Sequence, residues 1–247
     1  MIKKEDIVHP DNWTVGDFEI YYDDVVTNST YGRFFDIKEN DVIVDLGANI
    51  GLYSLYASDI QPNIKKIYMV EPSFNNFESM IKNILKLRRD NLHKFIPIKL
   101  AISGEIGQSV LNSNSSTPHL GVGDEIVKTF SFMDFIDFYN IGKIDVLKVD
   151  IEGSEVDVFK DETYDYINEN VDRICGEFHP IRMYGEKMVD IIRNLIKLGF
   201  DVKMYSIDGY DITNILLDNA IIQKNNKPAY DYYKQYLIFA KKKKLFK

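Results

Sequence analysis

From Asp41 onward the chain alternates short apolar runs with segments whose apolar residues recur every three or four positions. Val42 to Leu46 is apolar except for Asp45, the signature of a strand buried on both faces of a parallel sheet. It meets a glycine turn, and Leu52-Tyr-Ser-Leu-Tyr-Ala57 then shows helical spacing. Ile67 to Val70 predicts a second strand, Phe74 to Leu87 a helix, and Phe95 to Ile102 a third strand, which completes half of a parallel sheet with right-handed crossovers. Ser131, with Asp134 three residues on, caps a predicted helix that runs through Asn140. Ile144 to Val149 is the fourth strand, helices follow after Gly153 and over Tyr164 to Asn170, and Asp172 to Phe178 is the fifth strand. A helix over Met183 to Leu198, a sixth strand over Phe200 to Ile207 and a seventh over Tyr232 to Ala240, its antiparallel placement left open, finish the pattern. The expected fold is α/β, a doubly wound, mostly parallel seven-stranded sheet.

Two stretches break this rhythm. Residues 1–37 are polar and aromatic, and the alternation of Asp17-Phe-Glu-Ile-Tyr-Tyr22 suggests a hairpin. They form an expected N-terminal cap on a domain covering residues 38–247. Their aromatic side chains, Tyr21, Tyr22, Tyr31, Phe34 and Phe35, are expected in core or edge packing more than as the cover of a substrate pocket. Gly104 to Lys128 lacks a long helical pattern and predicts loops with short strands, and Asn112 to His119 reads equally as a mobile segment near the pocket and as ordinary turn chemistry.

Composition narrows the class. A chain of 247 residues, 45% hydrophobic and 28% charged, can bury one large core. A formal charge of −8 argues against charge-driven binding to nucleic acid. The lysine cluster Lys241 to Lys244 with Lys247 reads as a solvated terminus. Cys175 is the single cysteine, so no intrachain disulfide forms, and the usage fits a reducing cytoplasm. No apolar run approaches the length of a membrane span or a signal core, so neither secretion nor insertion is expected. Oligomeric state is open, a homodimer included.

The most informative segment is Asp45-Leu-Gly-Ala-Asn-Ile-Gly51, between the first strand and the first helix of the sheet. Gly47 and Gly51 permit a tight turn, and the helix start offers unpaired amides. The spacing is G-x-x-x-G, not the dinucleotide fingerprint or a P-loop. Asp45 beside the turn repels a pyrophosphate but suits the ammonium and sulfonium charges of S-adenosylmethionine. Glu71, twenty residues past Gly51 at the end of the second strand, stands where an acid accepts ribose hydroxyls.

Together with Val70-Glu-Pro-Ser73, Ala101-Ile-Ser103, Leu147-Lys-Val-Asp-Ile-Glu-Gly-Ser-Glu155 and Gly176-Glu-Phe-His179, this segment resembles the FkbM family of S-adenosylmethionine-dependent methyltransferases over roughly residues 40–240. The resemblance implies a Rossmann-like class I fold and O-methylation of a hydroxyl on a sugar, glycan or secondary metabolite. It further implies that Asp45, Gly47, Asn49 and Gly51 hold the methionine part, that Glu71 holds the ribose, and that Pro72, Ser73, Ala101 and Ile102 lie near the adenine.

Asp150, Glu152 and Glu155 follow the fourth strand, at the sheet edge where open α/β folds place their ligand crevice. Glu177 and His179 hold the same edge on the fifth strand. Methyl transfer to an alcohol needs in-line geometry and a proton acceptor. His179 or Asp150 is the candidate base, with Glu177 or Glu152 orienting the acceptor. Lys148 is a possible ion-pair partner of Asp150, and Glu155 reads as a charge that merely stabilises the first helical turn. The four site groups also suit a divalent cation, Mg²⁺ or Mn²⁺, although their spacing is not specific to one. Trp13 reads as a packing anchor, His9 and His119 as loop residues, and Arg182 and Tyr184 equally as acceptor contacts or as residues that cap or pack their helix. Two other functions remain open, an NAD-dependent oxidoreductase and a non-catalytic binding module.

Overall fold

The computed structural model describes residues 2–113, 116–121, 123–179, 185–206, 209–214 and 236–243. The chain enters through helix α1 (Val15–Tyr22), then alternates β1 (Val42–Leu46), α2 (Leu52–Ile60), β2 (Lys66–Val70), α3 (Phe74–Leu87) and β3 (Phe95–Ile98). An excursion of four strands follows: β4 (Ala101–Ile102), β5 (Gly107–Asn112), β6 (His119–Leu120) and β7 (Glu125–Phe130). Then come α4 (Phe132–Phe138), β8 (Ile144–Val149), α5 (Glu155–Val158), α6 (Tyr164–Asn170) and β9 (Val171–Phe178). Helix α7 (Gly185–Lys197), β10 (Phe200–Ser206) and β11 (Tyr236–Lys242) complete the described elements.

Seven strands form one sheet in the order β10-β11-β9-β8-β1-β2-β3. All pairings are parallel except those of β11, which runs antiparallel between β9 and β10. This is the expected mostly parallel, doubly wound α/β sheet. The strand order reverses at the β1–β8 pair, so the carboxyl ends of these two strands open the crevice where such sheets bind ligands.

Each face of the sheet carries its own apolar layer. Leu46, Val70, Leu147 and Ile174 meet Phe132, Phe135, Ile167 and Leu195 on one side. Ile43, Ile67, Val146, Cys175 and Phe239 meet Leu52, Leu55 and Met80 on the other. Alternation along a strand sends successive side chains to opposite faces, and burial on both faces is why these strands read as continuous apolar runs. The N-terminal residues join the second layer through Ile2, Ile7, Trp13, Phe18, Val25, Val26 and Tyr31.

Several sequence expectations need correction. Asp17 to Tyr22 belongs to α1, not to a hairpin. The Thr14 side chain accepts from the Asp17 amide and Asp17 accepts from the Thr14 amide, a capping box that outweighs the local alternation. The third strand is split: β3 ends at Ile98, whose carbonyl takes the Glu71 amide, and β4 crosses to pair with β7 in a second sheet ordered β4-β7-β5-β6. The short strands expected among the loops between Gly104 and Lys128 are present as β5, β6 and β7, and they pair into this second sheet, with β5 and β7 in five registered pairs. The helix after Gly153 is one turn. Ser131 does cap α4, which stops at Phe138. Of the expected solvated lysine tail, Lys241 and Lys242 are strand residues with their ammonium groups over Phe34 and Phe200, Lys243 is exposed, and Lys244 and Lys247 lie outside the described residues. The expected starts at Met183 and Tyr232, the end at Ile207, and the contacts of Arg182 and Tyr184 lie outside the described residues. No helix among the described residues is long and apolar enough to cross a membrane.

Candidate functional site

The turn after β1 is packed against the protein itself. Gly47 has φ 75°, and a Cβ there would stand 1.7 Å from the Asp150 carbonyl oxygen. Gly51 has φ 84°, and its Cβ would meet Met69 and Met80 at 2.8 and 3.0 Å. Both glycines thus serve close packing of β1 on β8 and of α2 on its neighbours. The turn amides are also engaged: Gly47 and Ala48 donate to the Val70 carbonyl, Asn49 to Glu71 and Gly51 to Ala48. A dinucleotide pyrophosphate relies on such amides being free, and here these four are not.

Beside the turn lies a crevice lined by Gly47, Asn49, Glu71, Pro72, Ala101, Ile102, Asp150 and Glu152, with Leu100, Thr117 and His119 closing it. Of the residues expected around a cofactor, six line it. Asp45, Gly51 and Ser73 do not, and Ser73 instead heads α3, its amide donating to Glu71. The Glu71 carboxylate is buried and held rigidly, one oxygen accepting from Asn49 and the other from Ser73, each at 2.9 Å. Burial pushes its pKa up to about 7, against the pull of those two amides. Asn49 Oδ1 and His119 Nδ1 are buried in this crevice without a hydrogen-bond partner among the described residues. His119 was thus underweighted by its loop-like sequence context.

Asp45 sits beneath the turn, wholly buried, accepting from Ser54 at 2.7 Å. Lys148, equally buried, bridges Asp45 at 3.3 Å and Asp150 at 3.4 Å and donates to the Gly47 carbonyl at 2.7 Å. Burial opposes its charge, but Asp45 and Asp150 outweigh burial and hold the ammonium above the ordinary lysine value. The expected Lys148–Asp150 pair is present, and the ammonium compensates Asp45 as well. Asp45 therefore offers no uncompensated charge to a ligand.

Glu152, with φ 55°, occupies a backbone region that glutamate rarely adopts, and Gly153 follows at φ 107°. His179, at 5% exposure, is clamped among acids. Its Nδ1 lies 2.9 Å from Glu155, and its Nε2 lies 3.5 Å from Glu177 and 3.6 Å from Glu152. Burial works against its charge, yet the bonds to Glu155 and Glu177 and the field of Glu152 hold the imidazolium well above the usual histidine range. Burial likewise raises Glu177, with His179 opposing and Asp150 reinforcing. Glu155 is more than a helix-turn charge: it is fully buried and also accepts from the Gly153 amide at 3.1 Å.

A second cleft, of about 400 Å³, opens between the N-terminal segment and these acids. Trp13, Tyr21, Tyr31 and Arg33 face Asp150, Glu152 and Glu177 across it. Tyr31 donates to Asp150 at 2.9 Å, and the indole Nε1 of Trp13 is buried without a hydrogen-bond partner among the described residues. All five aromatic residues singled out in the cap pack in or against the core, as expected, and Tyr21 and Tyr31 also line the cleft. His9 stacks on Phe18 with ring centroids 4.7 Å apart. Nothing in the N-terminal sequence marked Trp13 or Arg33 as cleft residues, because only the fold brings them to the sheet edge.

Residues 45–202 match the model of the methyltransferase FkbM domain. The chain belongs to the FkbM methyltransferase family. It is similar to the hexuronic acid methyltransferase AglP of Haloferax volcanii, 26% identical over 133 residues, which cover 52% of each chain. The crystal structure of methyltransferase FkbM from Methylobacillus flagellatus superimposes with a TM-score of 0.57 at 15% identity, over 88% of this chain and 47% of that one. A fibrillarin/Nop5p complex gives 0.51 at 12% identity, over 87% and 78%. These two structures share the fold. The chain spans about half the length of the curated relative. The FkbM match contains Asp45, Glu71, Asp150, Glu152, Glu177 and His179 but begins after the cap, so Trp13, Tyr21, Tyr31 and Arg33 lie outside it.

Proposed function

We propose that this chain transfers a methyl group from S-adenosylmethionine to a hydroxyl of a sugar or glycan acceptor. The observation that carries this reading is the meeting of the two clefts: both are lined by Asn49, Thr117, Asp150 and Glu152. The crevice at Glu71 fits the cofactor by its donor and acceptor set. Glu71 has lone pairs beyond the two amides for ribose hydroxyls, and the unpartnered Asn49 Oδ1 suits a cationic or N–H group. When bound, S-adenosylmethionine supplies a sulfonium methyl group that an alcohol oxygen can take in one displacement.

Gly47, Asn49 and Glu71 would then hold the methionine and ribose parts, and Pro72, Ala101 and Ile102 would flank the adenine. Asp45, Gly51 and Ser73 act from behind, by shaping the turn and fixing Glu71. The cap cleft receives the acceptor: Trp13, Tyr21 and Tyr31 offer aromatic faces with polar tips, a surface suited to a polyol. Asp150 or Glu177, both on the cleft wall, accepts the hydroxyl proton as the oxygen–carbon bond forms. His179 stands behind them with Nδ1 committed to Glu155 and Nε2 turned toward Glu152 and Glu177, so it orders this edge rather than serving as the base. The AglP likeness makes hexuronic acids the first acceptors to try.

The test is calorimetry on cofactor-stripped protein with S-adenosylmethionine against NADH, followed by methyl transfer to hexuronic acids and neutral hexosides. S-adenosylmethionine alone should bind, and a sugar methyl ether should form. Asp150→Asn and Glu177→Gln should each bind cofactor within about threefold of wild type, and at least one should lose about 100-fold or more in kcat. Binding of NADH alone would reject the cofactor reading, and cofactor binding without turnover would leave a binding module.

A further inference from the structure

Resting on that reading of the acid edge as the acceptor site, the geometry points to a divalent-cation site built from Asp150, Glu152 and His179. One donor atom from each of these residues falls within 4.8 Å of the other two. Two ligands held at about 2.1 Å from one ion stand roughly 3 to 4 Å apart. Asp150 and Glu152 are only partly buried, so a small side-chain rotation closes the difference.

An acidic cluster alone would not carry the assignment; the histidine does. The His179 side chain is 6% exposed, and among the described residues its buried Nε2 meets no well-formed hydrogen bond, only the carboxylates of Glu177 and Glu152 at 3.5 and 3.6 Å; a cation there would take the place of the proton that these acids hold on this nitrogen. Its other nitrogen is fixed by Glu155, a carboxylate with no exposure of its own, at 2.9 Å. A carboxylate that holds one ring nitrogen and aims the other is the usual outer shell of a metal-bound histidine. Asp150 spends Oδ2 on Tyr31 and Lys148, which leaves Oδ1 for an ion. Glu152 reaches the cluster through its left-handed backbone, a strained conformation of the kind that persists at functional sites.

Two carboxylates and one imidazole suit Mn²⁺ best and accept Mg²⁺. An ion there borders both clefts through Asp150 and Glu152. It would take an acceptor hydroxyl as a further ligand and lower its pKa, with Glu177, beside the set, receiving the proton.

The experiment is titration of the purified chain with Mn²⁺ alone, following free Mn²⁺ by electron paramagnetic resonance, in wild type, Glu152→Gln and His179→Ala. The fold of the same samples is followed by thermal melting. One saturable site in wild type, weakened at least tenfold in both variants while each still melts cooperatively, supports the site. Absence of saturable Mn²⁺ binding below 1 mM by the wild-type chain, an order-of-magnitude ceiling for a resident ion, overturns it. So does binding that Glu152→Gln leaves unchanged, this residue being partly exposed and the milder substitution. Because the metal readout needs neither cofactor nor acceptor, failure here leaves the methyl-transfer reading to be judged by its own turnover assay.

Discussion

Glu71 shows how one buried carboxyl can couple cofactor affinity to pH. Burial raises it to about 7 from the ordinary 4.5, so the apo protein holds its proton more firmly than the unfolded chain does. As pH rises through this range the folded state must carry a buried charge, and this group's contribution to stability falls. Ribose hydroxyls favour the ionised form, so binding S-adenosylmethionine expels the proton. Affinity should therefore rise with pH and level off above about 7, with a limiting slope of about one decade per pH unit below it. Calorimetry from pH 6 to 8 measures the slope, and Glu71→Gln, with no proton to lose, should bind more weakly at pH 8 and lack it. A slope that persists in the variant would assign the titration to another group. The position of Glu71 at a strand end was legible from spacing alone, because strand lengths fix where the sheet edge falls. Its environment was not: the amides of Asn49 and Ser73 converge on it only through the fold. Lys148 is the same lesson in a buried cation, adjacent in sequence to a strand end yet compensating Asp45 from a neighbouring strand.

At the scale of elements, α1 is where local chemistry beats pattern. Its alternation favoured a hairpin, but the reciprocal Thr14–Asp17 bonds satisfy helix-end amides that a strand would leave to other partners. Thr14→Ala should cost about 1 kcal/mol, visible by calorimetric melting as a drop of roughly 2–4 °C for a chain of this size. Because α1 delivers Tyr21 to the cap cleft, the acceptor KM should rise severalfold. Cofactor affinity should stay unchanged, since the Glu71 crevice is walled by segments flanking β1, β2, β4 and β8. The central strands were legible because burial on both faces writes them as unbroken apolar runs. The β4-β7-β5-β6 sheet was legible only as short strands among loops: they are half-exposed, and Ile126 stands 69% open to solvent, so no continuous run marked their bounds or pairing. The split of the third strand was equally silent, since Leu100 and Ile102 remain apolar after the chain leaves the main sheet for another part of the same core.

For the whole molecule, the decisive relation is between the cap and the sheet. Ile2, Ile7, Trp13, Phe18, Val25, Val26 and Tyr31 pack in the same apolar layer as Val146, Cys175 and Phe239. Removing these seven buried side chains forfeits on the order of 10 kcal/mol of gross apolar burial, at about 1.5–3 kcal/mol each. That rivals the whole stability of a typical domain, about 5–15 kcal/mol. Deleting residues 2–37 should therefore unfold the chain rather than yield a smaller cofactor binder. Cys175 reports the outcome: it is fully buried, Tyr53 packs on its sulfur at 3.8 Å, and burial pushes its thiol up to about 12. Thiol reagents act on the exposed thiolate, so at pH 8 the native protein should react far more slowly than the urea-unfolded chain, by about a thousandfold or more. The truncated chain should react at the unfolded rate. If residues 38–247 alone kept Cys175 protected and still bound S-adenosylmethionine, the cap would be a separable acceptor module rather than part of the core, and the acceptor cleft could be exchanged without rebuilding the sheet.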